Sequence, residues 1–117
     1  MDEQRAQELL SRERRRVEAE IRDMTLAGQE NRSSADATGD MADVAEPLTE
    51  EQAADAIARG LRARLDAIER AEARLRDGTY GRSTLSGEPI PDERLEADPA
   101  AALTAEEAAD QERPPLV

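Results

Sequence analysis

The sequence predicts an all-α fold: a long antiparallel helical hairpin of coiled-coil type, followed by a small irregular segment that carries one short helix. Three observations predict it. The chain of 117 residues holds one aromatic residue, Tyr80, and neither Phe nor Trp. Ala, Leu, Ile and Val must therefore supply the buried area that aromatics ordinarily provide. Charged residues make up 38% of the chain, a level that suits exposed helix faces and narrow seams better than a packed sheet. Apolar residues recur at helical spacing over two stretches, and the segment between them lacks a sustained stripe.

The first stretch, residues 2–27, places Leu10, Val17 and Met24 seven residues apart, flanked by Ala6, Leu9 and Ile21. That is one apolar stripe on an amphipathic helix. Glu18 lies four residues before Arg22, a helix-supporting pair. Gly28 is the expected stop. Residues 29–48 contain Ser33, Ser34, Gly39 and Pro47, which argue for a loop or broken helix with short helical pieces at its ends. The second helix opens at Thr49. Gln52 stands three residues later, so the pair fits a capping box. Ile57, Leu61, Leu65, Ile68 and Leu75 then form the stripe, with Ala54, Ala58 and Ala71 at its small positions. Gly60 is a weak point within it. Gly78 is expected to end it.

Two helices with one narrow apolar stripe each bury those stripes most simply against one another. A homodimeric coiled coil would bury the same stripes. Beyond Gly78 the character changes, with five of the six prolines in residues 79–117. Turns are expected at Tyr80-Gly81, Ser86-Gly87 and Pro89–Pro91. Thr104 and Glu107 form a second capping box, opening a short Ala-rich helix through about Gln111.

Charge and residue usage exclude several functions. The formal net charge of -12 repels nucleic-acid phosphates, so direct DNA or RNA binding is not expected. With no Cys, neither a disulfide nor a thiolate metal site can form. With no His, the commonest general base and metal ligand are missing. Ser83 and Ser86 have no base to activate them, so no enzyme is expected. No apolar run is long enough for a transmembrane helix, and the polar N-terminal stretch is unlike a signal peptide. The expectation is a cytoplasmic protein, monomeric, without a membrane partner.

The segment from Ile68 to Glu107 carries the distinctive residues: Ile68-Glu69, Leu75, Gly78, Tyr80-Gly81, Gly87-Glu88-Pro89-Ile90, Arg94-Leu95-Glu96-Ala97 and Pro99. In order and spacing, without gaps, this run resembles the DksA/TraR family of bacterial RNA polymerase regulators. In that family a helix ends in glycine. An aromatic-Gly pair, a Cys-x-x-Cys-Gly zinc knuckle, an Arg-Leu-x-Ala-x-Pro run and a second Cys-x-x-Cys follow. Here the four cysteine positions fall on Ser83, Ser86, Thr104 and Glu107. Hydroxyls are poor zinc ligands and one carboxylate cannot hold the ion. The tail is thus expected to be a degenerate zinc-finger-like segment with no metal and no other cofactor. A helix cap contributes about 0.5–2 kcal/mol, against roughly 10–16 kcal/mol for a structural zinc. Apolar contacts of Tyr80, Leu85, Ile90, Leu95 and Leu103 must make up the difference, and the tail is expected to be the least stable part.

The same register carries the resemblance into the loop. The family's Asp-x-x-Asp-x-Ala tip motif falls on Asp40, Asp43 and Ala45. The resemblance implies a partner, RNA polymerase. The hairpin would enter its secondary channel with Asp40 and Asp43 as acting charges. Ala45 would allow close approach, and Asp36 and Glu46 would add to the field. Positions that serve a guanosine tetraphosphate site in some members hold Gly60, Ala67, Asp98 and Ala108. None is basic, which argues against alarmone dependence. The domain division that follows is residues 1–78 for the hairpin, with an acidic tip loop at about 29–48, and residues 79–117 for the degenerate knuckle and tail. The competing reading is a helical-hairpin or coiled-coil interaction module that does not bind polymerase.

Overall fold

A computed structural model describes the backbone of residues 1–38 and 49–113, and the side chains of 1–28 and 49–113. Four helices follow in order: α1 (Glu3–Thr38), α2 (Glu50–Asp77), α3 (Asp92–Ala97) and α4 (Ala105–Glu112). Among the described residues there is no strand, only an isolated antiparallel bridge between Arg82 and Pro89. The all-α hairpin expected from the two stripes is the observed fold. None of these helices is long and apolar enough to cross a membrane.

Capping chemistry sets most of the boundaries. Asp2 precedes α1, and its Oδ1 accepts from the Arg5 amide at 2.7 Å. At the start of α2 the Thr49 hydroxyl accepts from the Gln52 amide at 3.0 Å, and the Gln52 side chain accepts from the Thr49 amide at 3.1 Å. This is the reciprocal box read from the sequence. At the other end of α2, Gly78 adopts φ 81°. The Thr79 amide reaches back to the Arg74 carbonyl at 2.9 Å, and the Gly78 amide to that of Leu75 at 3.3 Å. These are the two bonds of a Schellman motif.

Gly28 does not stop α1, contrary to expectation, and the helix runs ten residues past it to Thr38. A glycine ends a helix only where it enters the left-handed region and closes such a motif. Gly28 is not among the positive-φ glycines, which are Gly78, Gly81 and Gly87. Inside a helix it costs only about 1 kcal/mol relative to Ala. The six-residue α3 went unpredicted because so short a helix shows no periodicity. Its signals are local: Pro91 at the N-cap and the acids Asp92 and Glu93 in its first turn.

The chain divides into two compact units. The first joins Met1–Arg14 to Asp66–Val117. It holds nearly all of the buried side chains: Ala6, Leu9 and Leu10 of α1, Ile68 and Ala71 of α2, then Ile90, Leu95, Ala100 and Ala101 of the tail. The Arg14 guanidinium bridges from α1 to α2, meeting Glu72 at 2.6 Å and Glu69 at 3.1 Å. Arg5 grips Glu96 of α3 through two parallel bonds, at 2.9 and 2.7 Å. A small core of Ile90, Leu95 and Ala101 gathers Met1 and Tyr80 around it.

The second unit, Arg15–Leu65, is thinly packed. Among its described side chains only Val17 is buried. Both helices line a cleft of about 570 Å³, walled by Ile21, Met24 and Gly28 on one side and by Ala54, Ala58 and Leu61 on the other. Small residues leave the gap. Ile57, expected in the stripe, stands 57% exposed. The expectation that the tail is the least stable part therefore meets the opposite distribution of burial, because Ile90 and Leu95 are inserted into a core that unit 2 lacks.

Two stability predictions follow from this packing. Ile68→Ala should lower the unfolding free energy by about 2–5 kcal/mol, whereas Ile57→Ala should change it by less than about 0.5 kcal/mol; denaturant melts of the two variants check this. A Cβ added at Gly60 meets nothing within 4 Å, so Gly60→Ala should stabilise by about 1 kcal/mol, read as a rise in the same midpoint.

Candidate functional site

Two places in the sequence carry the functional reading. The tip residues Asp40, Asp43 and Ala45, with Glu46, lie outside the described residues. Asp36 falls on α1, and its side chain lies outside them as well. What the structure supplies at this end is the pair of helices that flank the tip in sequence, α1 ending at Thr38 and α2 starting at Glu50.

The second place is the knuckle, where all four family cysteine positions are described. Two tight turns build its loop. Gly81 (φ 85°) and Gly87 (φ 77°) occupy the left-handed region, which L side chains rarely enter. The Ile90 amide donates to Gly81 O at 2.8 Å, and the Ser83 amide to Glu88 O at 2.8 Å. The Gly87 amide closes the turn onto Ser83 O at 2.9 Å. Between these bonds Ser83 is buried, at 5% exposure, the sole buried polar residue among those described. Its Oγ accepts from the Leu85 amide at 3.0 Å and the Ser86 amide at 3.2 Å.

The second pair of positions meets the first. Thr104 caps α4: its hydroxyl accepts from the Glu107 amide at 3.2 Å, and Glu107 Oε1 accepts from the Thr104 amide at 2.9 Å. That completes the box read from the sequence. The same Oε1 accepts the Ser83 hydroxyl at 2.6 Å, a short charge-assisted bond. Sequence reasoning found the box and missed this link. No local spacing could have shown it, because the partners are 24 residues apart. Beside it, the Thr84 amide and hydroxyl both donate to Ala102 O, at 2.9 and 3.3 Å.

Neighbouring contacts brace the loop. The Tyr80 hydroxyl donates to Pro99 O at 2.8 Å, and burial pushes its pKa up to about 12. Arg94 Nε donates to Leu103 O at 2.9 Å. Ile90 and Leu95 are buried as expected, but Leu85 is 63% exposed at the turn and contributes no packing. Its backbone amide is held by Ser83 Oγ, which leaves its side chain facing outward. Asp98 accepts from the Ala100 amide at 3.2 Å. Among the described residues no group of three or more His, Cys, Asp or Glu gathers to hold a metal.

The electrostatic consequence is concentrated on Glu107. The hydroxyls of Ser83 and Ser86 and the Thr104 amide stabilise its ionised form and pull its pKa down to about 2. A depressed carboxylate adds stability above its ordinary range and loses it as pH falls through the folded value. Acid between about pH 4.5 and 2 should thus destabilise the wild type toward a Glu107→Gln variant, which stays neutral throughout. Melting temperatures of both proteins across that window check this.

No protein-family model matches the sequence, and no curated protein matches it. Its fold does match a solved structure, that of transcription factor DksA2 from Pseudomonas aeruginosa. The TM-score is 0.74 and the identity 29%, over 94% of this chain and 82% of that one. The match covers hairpin and tail alike, and the chain has a DksA-like fold.

Proposed function

We propose that this protein regulates transcription by binding RNA polymerase and inserting the hairpin tip into the secondary channel. The observation that carries this reading is the likeness to transcription factor DksA2 across 94% of the chain. The Asp40-x-x-Asp43-x-Ala45 pattern, which lies in sequence between α1 and α2, accompanies it. Asp40 and Asp43 bring two negative charges toward the polymerase's catalytic magnesium. In a confined channel of low effective dielectric, such charges act far more strongly than in bulk water. Ala45 adds no bulk beyond Cβ and permits close approach.

Regulation of this kind works by contact, with the bond-making chemistry left to the polymerase. The protein acts as a monomer in the cytoplasm, without touching DNA or RNA directly, as its acidity favours. Gly60, Ala67, Asp98 and Ala108 offer an alarmone no basic partner, which argues against alarmone dependence. A protein-contact reading without polymerase draws on Leu26 and Ile57, which stand 59% and 57% exposed.

The test uses RNA polymerase from the source organism. The wild-type protein should be retained in a pull-down and should shorten promoter-complex lifetime. The Asp40→Asn/Asp43→Asn variant should still be retained but lose potency on the order of tenfold, equivalent to about 1.4 kcal/mol. Equal potency of the two proteins would sink the tip mechanism, and absence of retention would favour a different protein partner.

A further inference from the structure

The knuckle of a DksA-like fold implies a zinc ion, and the side chains at its four positions can be tested against one. A hydroxyl has one proton and two lone pairs. Ser83 Oγ spends its proton on Glu107 Oε1 and both lone pairs on the Leu85 and Ser86 amides. Nothing is left to bind a cation. Thr104 Oγ1 accepts from the Glu107 amide and Ser86 Oγ from the Glu88 amide at 3.2 Å, so each neutral hydroxyl already spends one of its two lone pairs. Glu107 Oε1 already accepts two hydrogen bonds. Neutral oxygens with one carboxylate are also the wrong donor set for zinc. The residues do not fit the ion.

We propose that these four positions form a metal-free clasp in which Glu107 is the keystone, doing by hydrogen bonding the cross-linking that a metal would do. The bonds run in one directed chain. Two amides fix the Ser83 oxygen, which orients its proton at Glu107; the Thr104 amide fixes the same carboxylate oxygen from the helix side. Aligned bonds of this kind polarise one another. The clasp joins residues 83–86 to the first turn of α4, two segments that local structure alone would leave separate. A site that had merely lost its cysteines would leave buried polar atoms without partners, at a cost for each. Here the buried Ser83 is fully satisfied through its amide, carbonyl and hydroxyl. The clasp is therefore loosened by acid, and neither chelators nor thiol oxidants have anything to act on. This inference is independent of whether the protein binds polymerase.

A double-mutant cycle on the full chain tests it. Native-state hydrogen exchange is followed at the amides of Leu85, Ser86 and Thr104 in wild type, Ser83→Ala, Glu107→Ala and the double variant. Each single change should speed exchange on the order of tenfold across the clasp, Ser83→Ala at Thr104 and Glu107→Ala at Leu85 and Ser86. Ser83→Ala should add little at Thr104 once Glu107 is gone, and Glu107→Ala little at Leu85 and Ser86 once Ser83 is gone, because the effect crosses one shared bond. Additive effects would overturn the clasp. If Glu107→Ala fails to fold, Glu107→Gln replaces it: its amide oxygen can accept the same bonds without the charge, so exchange at Leu85 and Ser86 should rise above wild type but less than in Ser83→Ala, and a rise larger than in Ser83→Ala would overturn the clasp. In parallel, the melting temperature should not move with excess zinc or with chelator. A rise with zinc, or stoichiometric metal after purification, would refute the claim.

Discussion

Burial in the unit that joins Met1–Arg14 to Asp66–Val117 is the constraint on which the rest depends. With one aromatic and no cysteine, the chain lacks the means to build a dense core along two long helices. It concentrates what it has. Leu10, Ile68 and Leu95 are all buried to 1% exposure or less. Charge-assisted contacts surround them, with Arg14 on Glu69 and Glu72 and Arg5 on Glu96. Exposed ion pairs contribute little each, so their part is to set register around apolar side chains that do the stabilising.

The same economy shapes the second unit. Alanines and glycine line its cleft, and the helices there persist on propensity, capping and i,i+4 pairing such as Arg16 with Glu20 at 2.7 Å. Helices held in this manner exchange and open more easily than buried ones. The knuckle follows a different logic. It is short and irregular, and it holds its shape through polar groups that satisfy one another instead of through volume.

Much of this was legible in the sequence wherever the signal is local. Thr49 with Gln52, Thr104 with Glu107 and Gly78 each announce a helix end by the chemistry of neighbours three or four residues away, and each is found there. The apolar spacing of Leu10, Val17 and Ile68 identified buried positions. Where the spacing misled, as at Ile57, the side of α2 that lines the cleft carries Ala54, Ala58 and Leu61 instead, and Ile57 stands exposed. Gly28 misled because residue type alone does not report φ. The Ser83–Glu107 bond was invisible since it depends on how a loop folds back across 24 residues. Asp40, Asp43 and Ala45 are readable as a pattern only, in register with the knuckle.

The first unit is discontinuous in sequence, built from the first 14 residues and those from Asp66 onward. Its contacts span large separations, 91 residues in the case of Arg5 and Glu96. Closing such contacts exacts loop entropy before any apolar burial repays it. During synthesis, Leu9 and Leu10 emerge long before Ile90 and Leu95 exist to cover them. The best-packed part of the molecule is thus the part that must assemble last, and the nascent helix carries its uncovered stripe until then, in the window where chains are most prone to associate wrongly. The dense arginine and glutamate pattern around that stripe, as in Arg12–Arg16 and Glu18–Glu20, keeps it in solution through the interval.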